Sequence, residues 1–350
     1  MKSDLKRENL ALIDLIEEYI KTRVPVSSKA ICEKKTSKVS SATIRNELMK
    51  LEQKGFIYQP YTSAARIPTL AGYRHYIDLV SDEIAGAQYD KIDFLKGILV
   101  NNYRDITLVL HYIKQLLAKE TDMLTFVAEP EIACDTMQKL DVFKIGGSKL
   151  LFVVSLSSGL DKTVVIKPDF EISEQQLKVA VRYLNDELAG MRIFDIQDKY
   201  IDEISGKWTT DNKLLSLFFK EFYHALIEMN NYYIHFDSNI EFLEQPEFDA
   251  KDLIILFLNL MQRQDMLVNI MQKNIGTADW KVVMGEEFGN PEWSDFALIY
   301  ARYEIFGIPG YLGVIGPARM DYKVLIPKVR DIARTITETT KQGAVVRYEK

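Results

Sequence analysis

The sequence predicts an α+β protein of several domains, and three observations lead there. Its 350 residues exceed what a single hydrophobic core usually organises. Apolar residues fall at helical spacing through the first eighty residues and again near 100, give way to β-rich runs, and a second β-rich stretch follows a helical middle. The net charge of −6 is unevenly spread: residues 1–80 carry +5, residues 171–249 carry −9 and the remainder −2. An acidic chain argues against phosphate binding as a whole, but its basic N-terminal end is the place for a polyanion partner.

Composition closes off other classes. Apolar residues make up 47% and charged residues 27% of the chain, which suits a soluble globular protein rather than a disordered one. The first twenty residues break their apolar positions with charge and so lack a signal-peptide core. The longest apolar run, Leu253 to Met261, is too short to cross a bilayer. A cytoplasmic protein is expected, with Cys32 and Cys134 as buried or idle thiols. His75, His111, His224 and His235 are dispersed, and neither HExxH nor GxSxG occurs. No catalytic residue, metal or cofactor is predicted.

Leu12, Ile13, Ile16, Tyr19 and Ile20 make a first amphipathic helix to about Thr22. Pro25, Ser27 and Ser28 stop it and cap a short second helix to about Lys35. A third begins at Ser40 and Ser41, buries Ile44, Leu48 and Leu51, and closes at Gly55. Three short helices with a tight turn before the last form a helix-turn-helix core. Two extended pieces follow, Phe56–Gln59 and Ala65–Ile67; a hairpin in that position is a wing.

The third helix would read DNA with its first turns. Opposite its apolar stripe lie Thr43, Asn46 and Lys50, with Arg45 on the flank and Ser40 and Ser41 at the start. These hydroxyl, amide and cationic groups suit base edges and phosphate oxygens. Thr62, Ser63 and Arg66 on the wing are expected to reach phosphate or a minor groove. Spacing and charge alone leave open that this is only a solvated face.

Ser40-Ser41-Ala42-Thr43-Ile44-Arg45-Asn46-Glu47-Leu48, then Leu51-Glu52, Gly55, Gln59-Pro60, Thr62-Ser63-Ala64, Arg66-Ile67-Pro68 and Gly72-Tyr73-Arg74, closely resemble the winged-helix end of the HrcA family. Gly313-Val314-Ile315-Gly316-Pro317, Arg319-Met320-Asp321-Tyr322 and Pro246-Glu247-Phe248 resemble later landmarks of the same family. Ala65 departs from the glycine usual there. The resemblance implies a repressor of chaperone operons of the groE and dnaK type, binding the CIRCE inverted repeat in double-stranded DNA as a homodimer. It further implies that the chaperonin GroEL promotes the active fold and that heat, by occupying GroEL, relieves repression.

Ala71 to Ile84 reads as a connector helix and Ile98 to Leu117 as another helical region. Met123–Ala128, Lys139–Ile145, Lys149–Leu156 and Lys162–Ile166 read as an antiparallel meander, and strands resume at Trp280–Gly285, Phe296–Ile305 and Tyr311–Ile315. Strands bracketing a helical middle suggest one sheet domain with an insert. The expected layout is a winged helix-turn-helix with connector over 1–85, a sheet domain over 86–170 and 250–350, and an insert over 171–249. The resemblance implies that the sheet domain is GAF-like and that the insert dimerises.

The insert holds 13 of the chain's 38 aromatic residues, including Phe218, Phe219, Phe222, Tyr223, Tyr232, Tyr233 and Phe236. They suit a subunit interface, and equally an ordinary core. Gly310, Gly313 and Gly316 lack a phosphate-loop pattern and read as strand or turn glycines. Pro317 is expected to start a helix, Arg319 and Tyr322 to cap and pack it, and Pro327 to kink it. Two other functions are kept in view: a regulator sensing a small molecule through the sheet domain, and an enzyme with an accessory DNA-binding arm. The first predicts a pocket with convergent polar groups, the second a cleft with paired titratable groups.

Overall fold

The computed structural model describes residues 6–33, 40–60, 65–102, 106–146, 148–196, 234–238, 251–274 and 278–348, with Lys213, Leu217, Phe218, Glu221, Phe242 and Glu244 besides. Three helices open the chain: α1 (Arg7–Thr22), α2 (Ser28–Glu33) and α3 (Ser41–Gln53). They form because each presents one apolar stripe to a shared core of Leu12, Leu15, Ile16, Ile31, Ile44, Leu48 and Leu51, all buried. Ser27 caps α2 by accepting a hydrogen bond from the Ala30 amide at 3.2 Å, and Gly55, at φ +75°, closes α3 as expected. A hairpin follows, β1 (Ile57–Tyr58) with β2 (Ile67–Pro68), paired Ile57 to Pro68 and Tyr58 to Ile67. Val26, before α2, joins it through reciprocal backbone bonds with Arg66 at 2.8 and 2.9 Å.

The expected connector helix is two helices, α4 (Leu70–Leu79) and α5 (Ser81–Gly86), which part at Val80, where ψ opens to 10°. The next helical region is likewise two, α6 (Ile92–Asn102) and α7 (Ile106–Thr121). The strands are β3 (Leu124–Ala128), β4 (Met137–Ile145), β5 (Lys149–Leu156) and β6 (Asp161–Ile166), then β7 (Ile234–Asp237), β8 (Trp280–Met284), β9 (Phe296–Ile305) and β10 (Ile308–Pro317). Helices α8 (Glu174–Leu188), α9 (Lys251–Gln262), α10 (Gln264–Asn274) and α11 (Tyr322–Tyr348) complete the elements that matter here.

Strand pairing corrects the expected meander and the division built on it. β3 leaves the other three and lies in a five-stranded antiparallel sheet of order β7-β3-β10-β9-β8. β4, β5 and β6 form a sheet of their own. So Ile234–Asp237, assigned to the insert over 171–249, is an edge strand of the larger sheet, and 137–166, assigned to the sheet domain, is not part of it. The smaller sheet is backed by α8, whose Asn185 clamps β4 by accepting from the Leu140 amide at 2.8 Å and donating to its carbonyl at 2.7 Å. Leu140, Phe152 and Val154 meet Leu177, Leu184 and Leu188 in that core.

The five-stranded sheet is covered on both faces, which is why β9 and β10 read as near-continuous apolar runs. Ile299, Ala301, Tyr303, Leu312 and Val314 share a core with Ile326, Val329, Ile332, Ala333 and Ile336 of α11. Leu124, Phe126, Leu298, Tyr300 and Ile315 share a second with Leu267 and Met271 of α10. The two sheets meet at Glu129, just beyond β3, which accepts from Lys162 of β6 at 2.7 Å and pairs with His235 of β7 at 3.0 Å. Burial pushes the Glu129 carboxyl up, but those hydrogen bonds outweigh it and hold it below its ordinary range.

Other expectations change at the C-terminal end. Pro317 is the last residue of β10, paired with Phe296, and starts no helix. Asp321, not Arg319, accepts from the Val324 amide at the start of α11 (3.3 Å). Tyr322 is the packing residue, fully buried, with its hydroxyl donating to the Ala318 carbonyl. Pro327 lies inside α11 without ending it; one missing amide in the second turn costs less than the buried stripe beyond it returns.

Cys134 is exposed and Cys32 intermediate, not buried. Of the aromatic clusters, Phe218 is buried with its ring 6.3 Å from Phe152, and Phe236 packs into the core between the larger sheet and α10. Phe219, Phe222, Tyr223, Tyr232, Tyr233 and Pro246-Glu247-Phe248 lie outside the described residues.

Candidate DNA-binding surface

The third helix is set by its two ends and its buried stripe. Ser40 is its N-cap, with an extended backbone and a hydroxyl accepting from the Thr43 amide at 3.3 Å. The Ser40 and Thr43 hydroxyls are also 3.0 Å apart, and Ser41 reaches Ser28 of α2 at 3.3 Å. These three expected site residues therefore build the start of α3 and tie it to α2.

With Ile44, Leu48 and Leu51 buried, the opposite side of α3 faces solvent with Ala42, Arg45, Asn46, Met49, Lys50 and Gln53. Arg45 and Asn46 have no hydrogen-bond partner among the described residues. Lys50 pairs with Glu47 one turn back at 3.0 Å but stays exposed, and such surface pairs are readily exchanged for phosphate. Lys54 is engaged with Glu8 at 2.8 Å, and that hydrogen bond holds the Glu8 carboxyl below its ordinary range.

Arg66 stands elsewhere than the sequence suggests. Its Nε and Nη2 donate to Glu52 Oε2 of α3 at 3.1 and 2.9 Å, and only 13% of its side chain is exposed. The bridge to Val26 places this residue beside α3, and its guanidinium braces the hairpin against the helix. Thr62 and Ser63 lie outside the described residues. Two exposed apolar groups were missed: Met49, 49% exposed on the outward face of α3, and Tyr58 on β1. A helical wheel centred opposite Leu48 would have found Met49, whose thioether suits a thymine methyl.

Residues 108–326 match the family described as HrcA protein C terminal domain. The chain belongs to the HrcA family. It is 30% identical to the heat-inducible transcription repressor HrcA of Natranaerobius thermophilus over 339 residues, 95% of each chain. Identity to the protein of the same name from Desulforamulus reducens is 28%, covering 97% of each. A solved structure described as a hypothetical protein has a TM-score of 0.60 at 21% identity, over 96% of this chain and 99% of that one, which shows the fold alone. Within HrcA, the matched segment runs from α7 through both sheets into α11, while α1 to α3 and the hairpin fall under the similarity to the two repressors.

Proposed function

We propose that this chain is a heat-inducible repressor of transcription that binds double-stranded DNA through α3. On this reading residues 1–85 are a winged helix-turn-helix with β1 and β2 as the wing, the five-stranded sheet is a GAF-like domain, and the insert runs from 129 to 233. The protein acts in the cytoplasm as a homodimer on the CIRCE inverted repeat, with GroEL promoting its active state. The observation that carries the proposal is the solvent face of α3. Arg45 and Asn46 stand without a side-chain hydrogen-bond partner among the described residues, beside Met49, in a chain whose relatives are named heat-inducible transcription repressors.

Arginine matches guanine O6 and N7, asparagine matches adenine N6 and N7, and Met49 offers contact to a thymine methyl. Because Arg45 and Asn46 are exposed and make no side-chain hydrogen bond among the described residues, their removal is expected to affect binding and not stability. Gel shifts on a CIRCE duplex and on a scrambled duplex test this. Arg45→Ala and Asn46→Ala are each expected to weaken the specific complex by about 1–3 kcal/mol, with melting temperature unchanged. Equal affinity for the two duplexes, or no loss in either variant, refutes the assignment. Titrating GroEL into the same assay is expected to raise the fraction of active repressor.

A further inference from the structure

We infer that α4 is the strut that fixes the DNA-reading module on the five-stranded sheet, and that Arg74 is its positioning residue. The inference rests on the reading of α3 given above. One side of α4 belongs to the module. A methyl group at Gly72 would lie 2.0 Å from the Phe56 carbonyl oxygen, and the His75 ring stacks on Phe56 with centroids 4.6 Å apart and planes 12° from parallel. Helix α4 and the start of the hairpin must therefore move as one piece.

The other side belongs to the sheet. Leu70, Tyr73 and Arg74, spaced i, i+3 and i+4, share that side. Leu70 lies flat on the backbone of Gly285, so that a Cβ there would come within 2.4 Å of its Cδ1. The Tyr73 ring meets that of Tyr322 at 6.0 Å. Arg74 Nη1 donates to the Val282 carbonyl of β8 at 3.0 Å, and Nη2 to both Glu287 oxygens at 2.7 and 2.6 Å. Lys323 of α11 adds a second anchor, pairing with Glu17 of α1 at 3.0 Å and Glu83 of α5 at 2.5 Å.

Arg74 and Glu287 are 34% and 49% exposed, and pairs so open to water contribute little to stability. A planar guanidinium held by a carbonyl and a carboxylate does fix an angle, however. Angle matters when two copies must place their reading helices in two half-sites at once, because the gain from simultaneous engagement vanishes when geometry forbids it. Arg74 thus acts on DNA without touching it.

The test compares a duplex carrying the whole inverted repeat with one carrying a single half-site, using the full chain. Arg74→Glu and Glu287→Arg are each expected to weaken binding to the whole repeat about tenfold while changing the half-site by no more than about twofold. Melting temperature and oligomeric state stay unchanged. Unchanged affinity for the whole repeat overturns the inference, as does an equal loss on the half-site. If the wild-type chain prefers neither duplex to scrambled DNA, the reading of α3 itself falls and the inference with it.

Discussion

The two most distinctive stretches of this sequence, Ser40–Gly55 and Gly310–Tyr322, are distinctive for opposite physical reasons. On α3, Arg45, Asn46 and Met49 are exposed and make no side-chain hydrogen bond among the described residues; on the proposed reading their identities are set by what they would meet outside the molecule. On β10 there is no room for identity at all. A methyl group at Gly313 would lie 2.1 Å from the Ile299 carbonyl oxygen, 2.8 Å from Tyr300 Cα and 2.9 Å from Phe126 Cε1. None of the three β10 glycines needs a positive φ, so the requirement is space between strands and not a turn. A motif can mark a surface that is read or a core that excludes, and sequence pattern alone does not tell them apart.

Substitutions make that contrast measurable. The largest effect is expected from Gly313→Ala, which must push backbone apart in a core closed on both faces; a loss of at least about 3 kcal/mol in chemical unfolding is expected. A variant as stable as the parent would show that β10 gives way easily and would dissolve the contrast. Arg66→Ala comes next, since it sits in the proposed reading module yet is built in like a core residue. It is expected to cost about 1–2 kcal/mol of stability through the lost Glu52 hydrogen bonds, with DNA affinity per folded molecule unchanged. A fall in affinity without a fall in melting temperature would return Arg66 to the reading surface. Ser40→Ala is expected to be smallest, about 1 kcal/mol for a lost N-cap, read as a lower melting temperature. It lies on the border, because its hydroxyl serves the fold at the rim of the surface.

How much was legible follows from the range of the interactions. Helices α1 to α3 were readable because Leu12, Ile16, Ile44, Leu48 and Leu51 obey a local period, and their caps are adjacent residues. The face of α3 was readable for the same reason, except for Met49, which an apolar label hid. Strand partners were not readable: β7 is four residues long, and Val127 pairs with His235 far along the chain. Nor could periodicity say that Arg66 bends back to Glu52, since a long cation just before a two-residue strand has no neighbours in sequence to betray its direction. The role of α4 depends on Val282 and Glu287, some two hundred positions away, and only the folded chain brings them to Arg74.

The pairing of β3 with β7 has a topological meaning. Ala128 ends one strand, Ile234 begins the next, and the two lie directly opposite in antiparallel register. The chain thus leaves the sheet and re-enters it at one point, where an ordinary hairpin would need only a tight turn. Everything from 129 to 233, the smaller sheet included, occupies the position of that turn. The larger sheet could be closed there by a few residues without altering any of its strand neighbours. The protein can be understood as a hairpin whose loop grew to hold a second sheet, while the larger sheet keeps its order.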